Sequence, residues 1–191
     1  MIRLANKQDA AQILDIYRPY IENTSISFET IVPSIEEMET RIERVLVNNP
    51  WLVFEESNII LGYAYASLHH ERAAYKWAVD VSVYVRQDCR GKGIGKTLYT
   101  ELLSVLKLQG YCNVYAGICL PNESSVGIHE CFGFKKVAHY NKVGYKLGQW
   151  HDVGWWELFL EQHNPEPSEP LPLSNIEQYG ICYPYSDFML K

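Results

Sequence analysis

The sequence predicts a mixed α/β (α+β) domain built around a strand, a glycine-rich loop, a helix and a second strand. Three observations carry that expectation. Val79, Val81, Val83 and Val85 alternate with Ala78, Asp80, Ser82 and Tyr84, the two-residue period of a strand whose faces meet different surroundings. Directly after it, Gly91, Gly93 and Gly95 occupy every second position of CRGKGIGKTLY, residues 89–99. Ile94, Leu98, Leu102, Val105 and Leu106 then recur at helical spacing as far as Gly110, a residue suited to the left-handed turn that ends helices.

The other elements follow in order. The first 20 or so residues read as a short strand and a helix, with Asp9 as cap and Ile13, Ile16, Tyr17, Tyr20 and Ile21 on one face. Ser34 followed by Glu37 is a capping box opening a second helix with Ile35, Met38, Ile42, Val45 and Leu46 as its stripe. Residues 51–54 and 59–66 read as strands joined by the polar turn 55–58. Beyond the central helix come a strand over 113–119, a helix over Glu123–Cys131, and strands near 134–145 and 155–160. The segment NPEPSEPLPL after His163 holds four prolines in ten residues, a stiff extended linker leading to an aromatic end. The expected division is therefore a domain over 1–163 and an extension over 164–191.

Composition narrows the function. At 47% hydrophobic and 13% aromatic, 191 residues suffice for one buried core and lie far from the signature of disorder. A net charge of −6 argues against a nucleic-acid partner. The opening MIRLANKQDA carries no apolar leader, and no run is long enough to cross a bilayer, so a cytoplasmic protein with no membrane partner is expected. Cysteines 89, 112, 119, 131 and 182 are odd in number and contain no CxxC pair, which speaks against a disulfide framework or zinc knuckle.

The glycine loop looks made for phosphate, and its register says which kind. A nucleotide P-loop needs glycine five residues before Gly95, where Arg90 stands, and a dinucleotide fingerprint needs one at Leu98. The register R-x-x-G-x-G, from Arg90 through Gly91, Lys92, Gly93 and Ile94 to Gly95, fits without exception. Glycines there allow close approach of a ligand to several N–H groups at the positive end of a helix, a nest able to hold a pyrophosphate without metal. Arg86, Arg90, Lys92 and Lys96 form a local positive patch on an acidic protein.

With this motif the chain resembles the GNAT superfamily of N-acetyltransferases. "AAYKWAVDVSVYV", "LPNESSVGIHECFGF" and "GYKLGQWHDVGWW" are similar, more narrowly, to the phosphinothricin N-acetyltransferase family, over roughly residues 1–160. The resemblance implies a GNAT-like fold, acetyl-coenzyme A as co-substrate and no metal. It places the pyrophosphate on Arg90 and Gly91 to Lys96, the thioester against Val83, Tyr84 and Val85, and Asn122 and Ser125 near the pantetheine or thiol. Asp80 stands where these enzymes usually have glutamate, which implies a general base; being one methylene shorter, it would work through water. His129 is implied as the acid for the departing thiolate, and Phe28, Glu29, Arg72 and Tyr75 as contacts of the amine substrate. His69 and His70 read as incidental, and Trp150, Trp155 and Trp156 as core or dimer contacts.

The acceptor implied is a small amino-acid analogue such as phosphinothricin, methionine sulfoximine or methionine sulfone. A polyamine, an antibiotic amine, a protein N-terminus, or a coenzyme A-binding module without catalysis stay open. A homodimer is implied, with the extension across a neighbouring subunit or beside the acceptor pocket.

Overall fold

The valine strand forms over Ala78–Val85 and becomes the fourth of seven in one sheet. The computed structural model describes residues 1–177; the aromatic end 178–191, with Cys182, lies outside the described residues. In chain order the elements are β1 (Ile2–Leu4), α1 (Ala10–Asn23), α2 (Ile35–Leu46), β2 (Trp51–Glu56), β3 (Ile59–Leu68), β4 (Ala78–Val85), α3 (Ile94–Gln109), β5 (Asn113–Leu120), α4 (Glu123–Cys131), β6 (Lys135–Lys146), β7 (Gln149–Phe159) and α5 (Leu173–Glu177). The sheet order is β1-β2-β3-β4-β5-β7-β6. Every neighbouring pair is antiparallel except β4 and β5, which are parallel.

Alternation along the strands separates two cores. Leu52, Ala64, Val79 and Val81 face α3, whose Leu98, Leu102 and Leu106 are completely buried against them. Val53, Ile60 and Tyr63 face the other way, onto Ile13, Ile21, Met38 and Ile42 of α1 and α2. On that second side Tyr17 and Tyr20 meet Tyr84 edge-on, with ring centroids 4.9 and 5.1 Å away.

Local signals resolve differently in three places. Asp9 does not cap α1 with its side chain; its carboxylate accepts from Asn6 N at 2.8 Å and from both Arg3 terminal nitrogens, tying the first turn to β1. Ser34 does cap α2, accepting from Glu37 N at 3.1 Å, but the Glu37 carboxylate turns to Arg41 instead of closing the box. β7 begins at Gln149, six residues before the expected start, because Leu147 (φ 52°) and Gly148 (φ 79°) form a tight two-residue hairpin turn.

The proline-rich segment lies along its own domain. Trp77 Nε1 donates to Ser168 O at 2.7 Å, Lys76 pairs with Glu169, and Leu171 N donates to Gln109 O at 2.7 Å. The amide of Gln109 donates to both Asn48 O and Leu171 O. Leu173 and Ile176 then bury against Val105 of α3. Leu173 is 2% exposed, so Leu173→Ala is expected to cost about 2–5 kcal/mol through lost burial and a residual cavity. A urea midpoint within experimental error of wild type would refute this anchoring.

Candidate active site

β4 and β5 pair over three positions only, Ala78 with Asn113, Val79 with Val114 and Asp80 with Tyr115. Beyond Asp80 each strand keeps one neighbour: β4 stays on β3 to Val85, and β5 stays on β7 to Leu120. A gap therefore opens in the middle of the sheet. Arg86 N donates to Leu61 O, while Val85 turns its N–H and C=O away from β3 to the Tyr20 hydroxyl, at 3.4 and 2.6 Å. Alternation puts the Val83 N–H and C=O on that same edge, where β5 has departed.

The glycine loop lies beyond the end of β4. Gly91 and Gly93 hold φ of 76° and 82°, the left-handed region, and a side-chain carbon at either would meet nothing within 4 Å. Open space thus stands before the loop at the N-terminus of a 16-residue helix. Gly95 is needed for another reason: a Cβ there would sit 3.2 Å from Ile128 of α4 and 3.6 Å from Val85. Ile94 sends its side chain into the core. Arg90, Lys92 and Lys96 are exposed and form no ion pair among the described residues, whereas Arg86 is held by Asp88 at 2.8 Å and drops out of the free positive patch. Arg90 lies over the Tyr20 ring, 5.0 Å from its centroid. The residues fit a diphosphate: an amide-rich turn, open in front, with three cations around it that form no ion pair among the described residues.

On the α1/α2 side the gap widens into a cavity of about 650 Å3, lined among others by Phe28, Glu29, Asp80, Tyr84, Cys119 and Trp155. Tyr84 therefore presents its ring to this side, opposite to Val83 and Val85. The segment carrying Phe28 and Glu29 is held at several points. Ser27 Oγ meets Tyr17 OH at 2.7 Å, and Ser27 O accepts from Lys146 Nζ at 2.6 Å. Lys146 is 6% exposed, and burial pulls its pKa below the ordinary lysine value. Glu29 is gripped by both Arg41 terminal nitrogens, at 2.7 and 3.1 Å, and accepts from Tyr17 OH, so its charge is matched inside the protein. The Phe28 ring covers Gly144, where any side chain would overlap it.

Asp80 sits at the fork where the strands part. Burial raises its carboxyl pKa, and a hydrogen bond with His69 Nδ1 at 2.6 Å opposes the rise. His69, read from sequence as incidental, is thus the direct partner of Asp80. Trp155, read as a core or dimer residue, lines the cavity instead, while Trp156 is core. Arg72 and Tyr75 lie on the loop between β3 and β4, exposed and outside that cavity; Tyr75 stacks on His70 at 4.9 Å. Asn122 caps α4, accepting from Ser125 N at 3.2 Å.

His129 is enclosed between α4 and α3. It is 3% exposed, its Nδ1 donates to Ser125 O at 2.6 Å, and its Nε2 accepts from the fully buried Tyr99 hydroxyl at 2.8 Å. Both nitrogens are in use within the chain, with Phe134 edge-on at 5.1 Å, and the ring's two bonds tie α4 to α3. Burial lowers its pKa, outweighing the bond to Ser125. The unfolded imidazole titrates near 6.5, so unfolding takes up a proton as pH falls through that value. Stability supplied by neutral His129 is then fully present above about pH 6.5 and lost below it, down to the folded pKa. His129→Gln, able to keep both bonds, is expected to flatten urea midpoints between about pH 7 and about pH 5; an equally steep acid loss in both proteins would contradict this.

Comparison with known proteins agrees with the geometry. The family model described as an acetyltransferase (GNAT) domain matches residues 2–155. Phosphinothricin N-acetyltransferase of Streptomyces viridochromogenes is 38% identical over 177 residues, covering 93% of this chain and 94% of the relative. An L-methionine sulfoximine/L-methionine sulfone acetyltransferase of Salmonella typhimurium is 31% identical over 163 residues, covering 85% and 95%. A phosphinothricin acetyltransferase from Sinorhizobium meliloti, solved in complex with acetyl-coenzyme A, superposes with a TM-score of 0.85 at 32% identity, covering 90% of this chain and 94% of that one. The parted strands, the open glycine loop and these likenesses together show that the chain belongs to the GNAT family of N-acetyltransferases, in its phosphinothricin N-acetyltransferase-like branch.

Proposed function

We propose that this enzyme moves acetyl from acetyl-coenzyme A to the α-amine of a small amino-acid analogue of the phosphinothricin, methionine sulfoximine or methionine sulfone kind. The transfer is a direct attack with both substrates bound. One observation carries the reading: the gap between β4 and β5 joins an open glycine loop on one side to a cavity lined by Asp80 on the other. A thioester reaching through the gap and an amine in the cavity meet without a covalent enzyme intermediate.

Each residue then has a task. Arg90 and the loop from Gly91 to Lys96 hold the diphosphate, with Ile94 and Gly95 shaping the helix start. Asn122 and Ser125 flank the pantetheine arm at the start of α4. The Val83 N–H, on an edge with no strand partner, stabilises the oxyanion that forms on the thioester oxygen. Arg72, which forms no ion pair among the described residues, pairs with the substrate carboxylate, and Tyr75 and Phe28 border the approach. Asp80 is the carboxylate that drives removal of the amine proton. The amine nitrogen, once bonded to carbon, yields a second proton to the departing thiolate.

A homodimer is supported by the β6–β7 hairpin, where Tyr140, Val143, Tyr145, Leu147 and Trp150 are exposed together. The four described cysteines are free thiols, which suits a reducing cytoplasm.

The test is release of free thiol from acetyl-coenzyme A by purified protein across phosphinothricin, methionine sulfoximine, a polyamine, an aminoglycoside and a peptide N-terminus. The amino-acid analogues are expected to show the highest kcat/KM, and a higher value for any other class sinks the acceptor assignment. Gly93→Ala, forced to φ 82° and placing a methyl in the open space, is expected to fold at a cost of about 1–2 kcal/mol while weakening coenzyme A binding at least tenfold by calorimetry. Unchanged affinity would remove the loop from the binding site.

A further inference from the structure

Asp80 and His69 are diagonal neighbours on one face of the β3–β4 pair. Ser67 lies opposite Asp80, and His69 N donates to Ala78 O at 3.4 Å, so His69 stands two residues along from the Asp80 partner. The imidazole is fixed from three sides. It stacks on Tyr115 with centroids 4.3 Å apart at 24°, meets Trp155 edge-on at 5.9 Å, and bonds Asp80 through Nδ1. An ionised carboxylate only accepts hydrogen bonds, so Nδ1 carries the proton and Nε2 the lone pair. Nε2 has no hydrogen-bond partner among the described residues, and the side chain is 24% exposed. Of these three neighbours, Asp80 and Trp155 line the cavity.

We infer that His69, held by Asp80, is the base that takes the proton from the acceptor amine. The inference rests on the proposed acetyl transfer and deepens it. A proton passes from the substrate ammonium to His69 Nε2, leaving a neutral amine; the imidazolium that forms is stabilised by Asp80 through the Nδ1–H bond. The amine lone pair then forms the C–N bond as the C–S bond breaks. The thiolate takes the second amine proton, and His69 returns its own to solvent. One ammonium and one thioester thus give one amide, one thiol and one released proton. Where the related enzymes usually carry a glutamate, this chain divides the task between a shorter carboxylate and an imidazole that extends its reach.

The groups facing His69 are Asp80 from β4, Tyr115 from β5, Trp155 from β7, and Tyr75 from the loop at 6.1 Å with His70 stacked upon it. The acid limb of kcat/KM should therefore follow the His69–Asp80 pair as a unit.

The experiment uses the full chain with acetyl-coenzyme A and the best amino-acid acceptor. His69→Asn keeps a donor toward Asp80 and removes the basic nitrogen. The result expected is a kcat at least a hundredfold lower, unchanged coenzyme A affinity by calorimetry, and loss of the acid limb in the pH profile. A kcat within about threefold of wild type with that limb intact overturns the assignment and returns the base role to Asp80 acting through water. Independently of turnover, ring 15N spectra at about pH 8 should find His69 protonated on Nδ1; protonation on Nε2 refutes the dyad. Wild-type protein that acetylates none of the amines would overturn the acetyl-transfer reading itself, whereas active wild type beside an unimpaired His69→Asn variant overturns the His69 role alone.

Discussion

The site depends on a pairing that stops. Two parallel strands in the centre of a sheet ordinarily continue to exchange hydrogen bonds, because unpaired backbone groups inside a protein are costly. Here β4 and β5 exchange them over three positions and then separate. Each strand remains fully supported on its outer side, β4 by β3 and β5 by β7, so the gap costs only the bonds along its two inner edges. The Tyr20 hydroxyl takes up part of that cost at Val85. The Val83 N–H and C=O lie on the β4 side of that gap, with no strand across from them.

The same parting explains why the two halves of the chemistry come from different parts of the chain. The α3 side has glycines at left-handed φ and cations without carboxylate partners. The α1/α2 side has acids already matched within the protein, Glu29 by Arg41 and Asp80 by His69. An acidic protein of net charge −6 thus keeps a local positive field around its glycine loop.

Much of this was legible in the residues. The alternation of valines gave β4 its bounds, Gly110 marked the end of α3, and α4 forms over the expected Glu123–Cys131. Those signals are local, one strand period or one cap at a time. What stayed hidden depends on partners distant in sequence. Lys146 reads as a surface lysine until β6 brings it beneath Ser27, 119 residues away. Leu173 and Ile176 lie beyond a run of prolines and look detached until Val105 supplies their contact. β7 was begun too late because Trp150 is exposed and His151 buried, a reversal of what hydropathy suggests for that stretch.

The histidines show the same dependence on partners distant in sequence. His129 occupies the position that resemblance singles out, yet Tyr99 and the Ser125 carbonyl consume both nitrogens and burial keeps the ring neutral. It is a cross-brace between α3 and α4. His69 has nothing in its neighbouring letters to recommend it, but the register of β3 on β4 sets it beside Asp80 with one nitrogen engaged and the other unclaimed. Strand register sets His69 beside Asp80, whereas helix packing sets His129 against Tyr99, and register is the property that a linear reading of hydrophobic and polar letters resolves least.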